Sequence, residues 1–227
     1  MNSVTSVTVP AGGTKWTAVR LAGMKVVDHR RTPNSKEDRN DRTARIDPRR
    51  SLRADSVNKQ IAQTAVEMFP TGSSAVVYGA LAEIPFYNED IDVDGQVPAG
   101  ALDLRAAAEE ATALLLVTPE YNGTVPAVLK NAIDWLSRPY GASAVQGKPV
   151  AVISASPSGY GAKWAHEHAR KAVGIAGGRV LEHVELTIGG TSDKFGAAHP
   201  RENAAVSAEI SEVVAELVRA SNELLAA

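Results

Sequence analysis

The sequence contains no cysteine among its 227 residues. This absence excludes disulfides, thiolate nucleophiles, cysteine-ligated zinc and iron–sulfur clusters. Histidine is also scarce, with five in the chain, and no HExxH pattern occurs among them. His166 and His168 are two positions apart, so on a helix they face different ways. We therefore expect no metal site.

Long apolar runs are missing as well. The longest runs have the length of a strand, so we expect no membrane-spanning segment and no membrane partner. Residues 1–27 lack the unbroken apolar core of a signal peptide, and we therefore expect a cytoplasmic protein. The formal net charge of −2 provides no overall basic field, so we expect no nucleic-acid partner.

Charge is unevenly distributed along the chain. Residues 1–50 contain eleven basic and five acidic side chains, whereas the remainder contains 13 basic and 21 acidic ones. Between Asp28 and Arg50 the apolar residues are Ala44 and Ile46, too few to offset the entropy cost of ordering. We predict a polar, basic leader over residues 1–42, disordered or loosely attached, and a folded domain over 43–227. A nucleic-acid or acidic-membrane arm is the alternative, but acids interrupt the basic residues and no aromatics interleave.

Hydrophobic patterning becomes regular after residue 51. It predicts helices over 56–69, 101–111, 163–175 and 202–226, with another beginning at Pro126 and ending before Pro139. It predicts strands over 75–78, 113–117, 149–153 and 180–188, and a loop over 189–200. Strands that alternate with helices favour an α/β fold, doubly wound around a parallel sheet.

The first strand of such a sheet is difficult to find. A flavodoxin-like sheet has five parallel strands in the order 2-1-3-4-5, and the pattern after residue 70 supplies four. The remaining candidate is Thr43–Asp47. It contains Arg45 and Asp47 and precedes Pro48, whereas a strand buried on both faces is normally an apolar run. We predict a degraded or atypical first strand at this position.

Polar side chains cluster where the first helix after this strand begins. The hydroxyls of Ser51 and Ser56, the Asn58 amide and the Arg53 guanidinium would converge there, and a helix N-terminus favours an anion. The sequence has neither a Walker loop nor a GxGxxG pattern, so a monophosphate such as that of FMN fits better than a dinucleotide. The alternative is an ordinary serine N-cap beside a solvated arginine.

Two further loops follow predicted strands. In the first, Pro119, Gly123 and Pro126 fix the backbone path, and Gly123 permits close approach to a flat ring. Backbone groups of 119–123 are placed to bond the polar edge of an isoalloxazine, with Tyr121 near it; alternatively, Asn122 or Thr124 simply caps the next helix. The second loop, with Ser156 and Gly159, would flank the ring from the neighbouring strand, or is a plain glycine-rich turn.

Two segments resemble the NADPH-dependent FMN reductase family. Residues 51–58, SLRADSVN, resemble its phosphate loop, GSLRxxSxN, and residues 118–138, TPEYNGTVPAVLKNAIDWLSR, are similar to its flavin loop and the following helix. The resemblance extends from residue 51 to about 190. It implies FMN as cofactor, NADPH (or NADH) as co-substrate, a small-molecule electron acceptor, and a homodimer or homotetramer. It also implies flavin contacts at Pro119, Glu120, Tyr121, Asn122, Gly123 and Thr124.

These observations predict an FMN-dependent NAD(P)H oxidoreductase that passes hydride through bound FMN to a flavin, quinone or similar acceptor. Such chemistry needs no acid/base pair from the protein, because the cofactor performs it, and we predict no catalytic side chain. The alternatives are a flavodoxin-like electron carrier or other non-catalytic flavoprotein, and a remnant that binds no flavin because its N-terminal strand is atypical.

Several residues outside these motifs also carry expectations. Arg50 stands where the family has the glycine that ends its first strand, so we hypothesise a shifted reading frame or misplaced start before Ser51. Trp135 is expected to serve packing or a subunit contact. Trp164, His166 and His168 are expected on a solvated or interface helix face. Lys130 and Asp134, four apart, are expected to form a modest surface ion pair.

Overall fold

The structure is a computed structural model that describes the backbone of residues 17–21 and all of residues 56–71 and 73–226. In this part of the chain there are five strands: β1 Thr17–Leu21, β2 Ser74–Tyr78, β3 Ala113–Thr118, β4 Pro149–Ala155 and β5 Arg179–Ile188. The α-helices are α1 Val57–Glu67, α2 Ala99–Glu110, α3 Ala127–Leu136, α4 Lys163–Ile175, α5 Thr191–Phe195 and α6 Ala204–Ala226.

The strands pair in parallel within one sheet. Every residue of β3 and β4 is buried, as their unbroken apolar sequences predict for strands covered on both faces. β5 lies at the edge of the sheet, and its burial largely alternates along the strand. The parallel sheet predicted from the alternating pattern is confirmed.

Helices cover both faces of the sheet. On one face α2, α3 and α4 bury a core that includes Leu104, Leu129 and Trp135. On the other face α1 and α6 bury Ile61 and Leu217 against β3, β4 and β5. Each fully buried aliphatic side chain contributes roughly 1.5–3 kcal/mol relative to exposure. The two cores hold the ends of β3 and β4 in a fixed relation, and the predicted ligand loops begin at these ends.

The position of the first strand differs from the prediction. The predicted strand, Thr43–Asp47, lies outside the described residues, and β1 comes instead from within the predicted leader, where it pairs with β2 and β3. The physical reason is visible in the sequence: β1 contains no proline or acidic residue, whereas Asp47 is followed by Pro48, which cannot donate to a strand ladder. The division of the chain near residue 42 stays a prediction.

The predicted loop over 189–200 contains a short helix. α5 spans five residues and buries Thr191 and Phe195. It is preceded by Gly190, whose φ of 63° lies in the left-handed region that glycine adopts readily. A single helical turn has no apolar period to detect, so the pattern could not predict it.

Candidate active site

The start of α1 is joined to the end of β4 by one buried side chain. Asn58 is buried, and its Nδ2 donates a hydrogen bond to the Ala155 carbonyl at 3.1 Å. Its Oδ1 is also buried and has no hydrogen-bond partner in the described part of the chain. Ser56 is the N-cap of α1, with extended backbone, yet its hydroxyl makes no capping hydrogen bond there. Ser51 and Arg53, the other predicted phosphate ligands, lie outside the described residues.

The loop after β3 forms a tight two-residue turn. Tyr121 and Thr124 pair as an isolated bridge, with N–H to carbonyl distances of 3.0 and 3.2 Å in the two directions. Between them Asn122 and Gly123 have φ of 52° and 76°. Positive φ at both central positions defines a type I′ turn, for which Asn-Gly is the preferred sequence. Asn122 therefore serves the turn in this structure, whereas the N-cap of α3 is Pro126.

The same loop is attached to the beginning of α4. The Glu120 carboxylate accepts a hydrogen bond at 3.2 Å from the backbone N–H of Ala165, in the first turn of α4. Thr124 Oγ1 and His168 Nδ1 share a hydrogen bond at 2.9 Å. A Cβ added to Gly123 would lie 3.5 Å from the nearest atom of the Trp164 ring. The flavin contacts of Glu120 and Thr124 stay a prediction, and in this structure both side chains bond α4.

The loop after β4 is closely packed against the end of β5. The Ser154 hydroxyl donates to the Gly161 carbonyl at 2.8 Å, and the Ser156 N–H donates to the Ile188 carbonyl at 3.1 Å. A Cβ on Gly189 would lie 2.4 Å from the carbonyl oxygen of Gly159, so only glycine permits this close approach of the two chains. Ser156 and Gly159 are thereby held at the carboxyl edge of the sheet. A Cβ added to Gly159 would meet no described atom within 4 Å.

The described parts of all three predicted segments therefore meet at one edge. Asn58 connects the α1 start to β4, and Glu120 connects the loop after β3 to α4, the helix that follows the loop after β4. This edge lies at the carboxyl ends of the strands, where open α/β sheets bind their ligands. The sequence motifs identified the segments, but not the side chains that join them.

Aromatic side chains are exposed at this edge. Tyr160 and Trp164 have nearly parallel rings, with centroids 6.2 Å apart and 13° between planes. Their exposed fractions are 76% and 56%, and that of Tyr121 is 51%. The expectation of a solvated or interface helix face therefore holds for exposed Trp164 and His168. The same expectation is wrong for His166, which lies on the buried side of α4.

His166 is buried with neither ring nitrogen hydrogen-bonded in the described part of the chain. Burial, reinforced by the nearby Arg170 charge, lowers its pKa from 6.5 to about 4, so the ring is neutral at pH 7. Arg170 itself is buried and donates to the carbonyls of Leu181, Glu182 and Val184 on β5. An i, i+2 spacing cannot put both histidines on one face, and it is His166 that turns inward.

The segment after β2 is pinned by α3. The Asn131 side chain accepts from the Tyr87 N–H at 2.8 Å and donates to the Pro85 carbonyl, which also accepts from Trp135 Nε1. Trp135 is fully buried within the chain, which supports the packing alternative for this residue. The predicted Lys130–Asp134 ion pair is present on the exposed side of α3.

An ion pair further along this segment links it to α2. Arg105 binds both carboxylate oxygens of Asp92, at 2.7 and 2.8 Å, and these hydrogen bonds lower the pKa of that carboxyl. Within the described residues, no group of three or more metal-ligating side chains comes together, and no helix is both long and apolar enough to cross a bilayer.

The described residues fit a flavin mononucleotide. An α-helix leaves its first N–H groups without intrahelical acceptors, and at α1 the Ser56 hydroxyl does not cap them. The unpartnered Asn58 Oδ1 is a buried acceptor at the same place, which suits an N–H of the loop before α1 and not a phosphate oxygen. The turn after β3 and the loop after β4 leave the Tyr121 and Tyr160 side chains exposed at the same edge.

The fold and these three loops define a flavodoxin-like α/β protein. The solved structure of the flavoenzyme NAD(P)H:(acceptor) oxidoreductase FerB from Paracoccus denitrificans shares this fold, with a TM-score of 0.66 and 30% identity over 76% of this chain and 93% of that one. Residues 51–193 match the NADPH-dependent FMN reductase family.

Named relatives agree with this match. The chain is 39% identical to a quinone reductase of Pseudomonas putida over 145 residues, which cover 64% of this chain and 77% of the relative. It is 37% identical to an NAD(P)H-dependent FMN reductase of Pseudomonas aeruginosa over 65% of this chain and 78% of the relative. The chain belongs to the NADPH-dependent FMN reductase family.

Proposed function

We propose that this protein is an FMN-dependent NAD(P)H oxidoreductase that reduces a small electron acceptor such as a quinone. The observation that carries the proposal is the Asn58–Ala155 contact, because it joins the phosphate motif to the strand edge from which the ring loops leave. Bound FMN would supply a carrier that accepts two electrons from the nicotinamide and releases them to the acceptor. Family membership and the names of the relatives disfavour a simple electron carrier or a non-binding remnant.

The protein's own residues bind and orient. We assign phosphate binding to Ser51, Arg53, Ser56 and the α1 N-terminus, with Asn58 supporting the loop. Backbone groups of Pro119–Gly123 would bond the polar edge of the ring, and Tyr121, Ser156 and Gly159 would border it. A flat ring needs close backbone approach, which the turn at Asn122–Gly123 provides. We assign no proton transfer to any side chain.

We further propose the strand order 2-1-3-4-5 for the native sheet and a homodimer or homotetramer as the assembly. Parallel pairing of β1 with both β2 and β3 supports this order, which puts the switch point between β1 and β3, where flavodoxin-like sheets bind FMN. The exposed rings at the site edge and Tyr140, 89% exposed, support a subunit contact. Light scattering on the purified chain measures the assembly, and a monomeric mass would contradict it.

Turnover tests the enzymatic proposal. Without free flavin and without oxygen, purified protein loaded with FMN should sustain NADPH oxidation only when an acceptor such as benzoquinone is added. The Arg53→Ala variant should no longer retain FMN, because Arg53 is the one residue of the motif 51–58 whose side chain can bind a phosphate bidentately. Full flavin occupancy in that variant would refute the phosphate assignment, and a flavin-loaded protein that oxidises no NADPH would refute the reductase.

A further inference from the structure

We infer that Glu120 and His168 are positioning residues that hold the loop 119–124 on α4 and thereby set the site's ring-binding backbone. The expected effect on FMN binding rests on the proposed function, whereas the contacts themselves are independent of it. Glu120 Oε2 accepts from the Ala165 N–H at 3.2 Å, and His168 Nδ1 lies 2.9 Å from Thr124 Oγ1. We call these two contacts the α4 clamp.

The α4 clamp encloses the turn. Glu120 precedes the turn residues Asn122–Gly123, and Thr124 follows them. Their partners, Ala165 and His168, lie within the first six residues of α4. Between the two contacts, Gly123 packs at the Trp164 ring. The loop leads into α3, yet its side chains are fixed to a different helix. Its backbone position therefore follows α4 and the loop after β4.

The chemistry of the Glu120 contact favours an orienting role. The first N–H groups of α4 carry the positive end of the helix dipole, which attracts a carboxylate. A hydrogen bond from a backbone N–H to a carboxylate is charge-assisted and stronger than a neutral one. Since the described Glu120 oxygen is directed to α4, its effect on a bound ring would pass through the backbone of 119–123, and not through direct contact.

Hydrogen exchange in the flavin-free protein tests the clamp itself. In Glu120→Ala, the Ala165 amide should exchange about tenfold faster or more, because its acceptor is gone. Glu120→Gln keeps an acceptor oxygen and should restore most of the protection. Asn203→Ala is the matched control: its side chain accepts from the Val206 N–H at the start of α6, so Ala165 exchange should not change. Unchanged exchange in Glu120→Ala would overturn the clamp.

Flavin binding tests the consequence. The FMN dissociation constant should rise about tenfold or more in Glu120→Ala, by the loss of one charge-assisted hydrogen bond, and stay within about threefold of wild type in Glu120→Gln. At saturating FMN, the midpoint potential of the bound flavin should shift in Glu120→Ala. In Asn203→Ala both quantities should stay unchanged although thermal stability falls. Equal FMN affinity in Glu120→Ala and wild type would overturn the positioning role.

A double-mutant cycle tests the His168 half. Thr124→Val and His168→Ala each remove one partner, so the double variant should bind FMN no more weakly than the weaker single variant. Additive losses would overturn the Thr124–His168 coupling. A wild-type protein that takes up no FMN would refute the proposed function and the positioning role together, whereas the exchange of Ala165 separately decides whether the clamp exists.

Discussion

Asn58 shows how one residue connects a motif to the sheet. Its position in the motif SLRADSVN predicted a ligand contact, yet its Nδ2 is bonded to a carbonyl 97 residues away. Spacing along the sequence could predict that Asn58 faces inward from α1, but not which strand end it meets. The buried Oδ1 is the atom that remains for the ligand-binding loop.

Replacing Asn58 with alanine should weaken FMN binding about tenfold or more. The change leaves the buried Ala155 carbonyl without its donor, which costs about 1–3 kcal/mol, and releases β4 from the α1 start. Fluorescence quenching of FMN measures the affinity. Thr64→Val is the control, because Thr64 is also buried on α1 and, among the described residues, its hydroxyl bonds the Gln60 carbonyl within the same helix; its FMN affinity should equal that of wild type. Equal losses in both variants would argue against the Asn58 role.

His166 predicts a pH-dependent stability. Its pKa falls from 6.5 to about 4 on folding, so below pH 6.5 the unfolded chain binds the proton more readily and the native state loses stability as pH decreases. Above pH 6.5 this loss is absent. The unfolding free energy should drop by roughly 2 kcal/mol between pH 7 and pH 5 from this group alone.

Denaturant unfolding at the two pH values measures the drop. His166→Leu removes the titrating group while keeping an apolar side chain at a buried position, so its unfolding free energy should fall by about 2 kcal/mol less than that of wild type over the same interval. If wild type and variant lose stability equally, His166 does not titrate as its burial indicates.

At the scale of elements, the sequence predicts the strands and helices, but not the side-chain contacts that join the loops to distant helices. The apolar runs of β3 and β4 and the span of α4 follow from composition and period, because burial imposes both. The turn at 122–123 also follows, since Asn-Gly favours type I′. The contact from Glu120 to Ala165 joins residues 45 apart, and no local pattern carries that information.

The turn yields a prediction with an internal control. Gly123→Ala places an L-residue at φ 76°, which costs roughly 1–2 kcal/mol in the left-handed region. Gly141 has the same φ and no atom near a Cβ position, so Gly141→Ala should lose similar stability. Gly123→Ala alone should weaken FMN binding, which calorimetric titration measures. Equal FMN affinity in both variants would show that the turn does not touch the flavin.

At the scale of the whole molecule, the parallel sheet agrees with the prediction from sequence, while the position of the first strand does not. The apolar pattern predicts four strands, and the flavodoxin-like arrangement predicts the fifth beside the phosphate motif, because such folds hold phosphate at the first βα turn. In the structure β1 lies well before the motif. β1 itself contains Ala18, Val19 and Leu21, so its distance from the phosphate motif, and not a lack of apolar residues, explains why the prediction placed the first strand elsewhere.

The family match begins at residue 51, the first residue of the phosphate motif. The hypothesis of a shifted frame before Ser51 therefore stays a prediction. The hypothesis requires another reading frame upstream of the Ser51 codon to encode an apolar strand that ends in glycine, whereas in this structure β1 supplies the first strand from residues 17–21. Sequencing the genomic DNA and translating all frames tests this, and the hypothesis fails if every frame lacks such a strand.

FMN uptake by the full chain tests the central claim most directly. Titration of flavin-free protein with FMN should saturate at one flavin per chain, quench the flavin fluorescence and leave a yellow protein after desalting. This outcome follows if the described edge of the sheet binds phosphate at α1 and the ring at the loops after β3 and β4. A colourless protein after incubation with excess FMN, with fluorescence unchanged, would contradict the account.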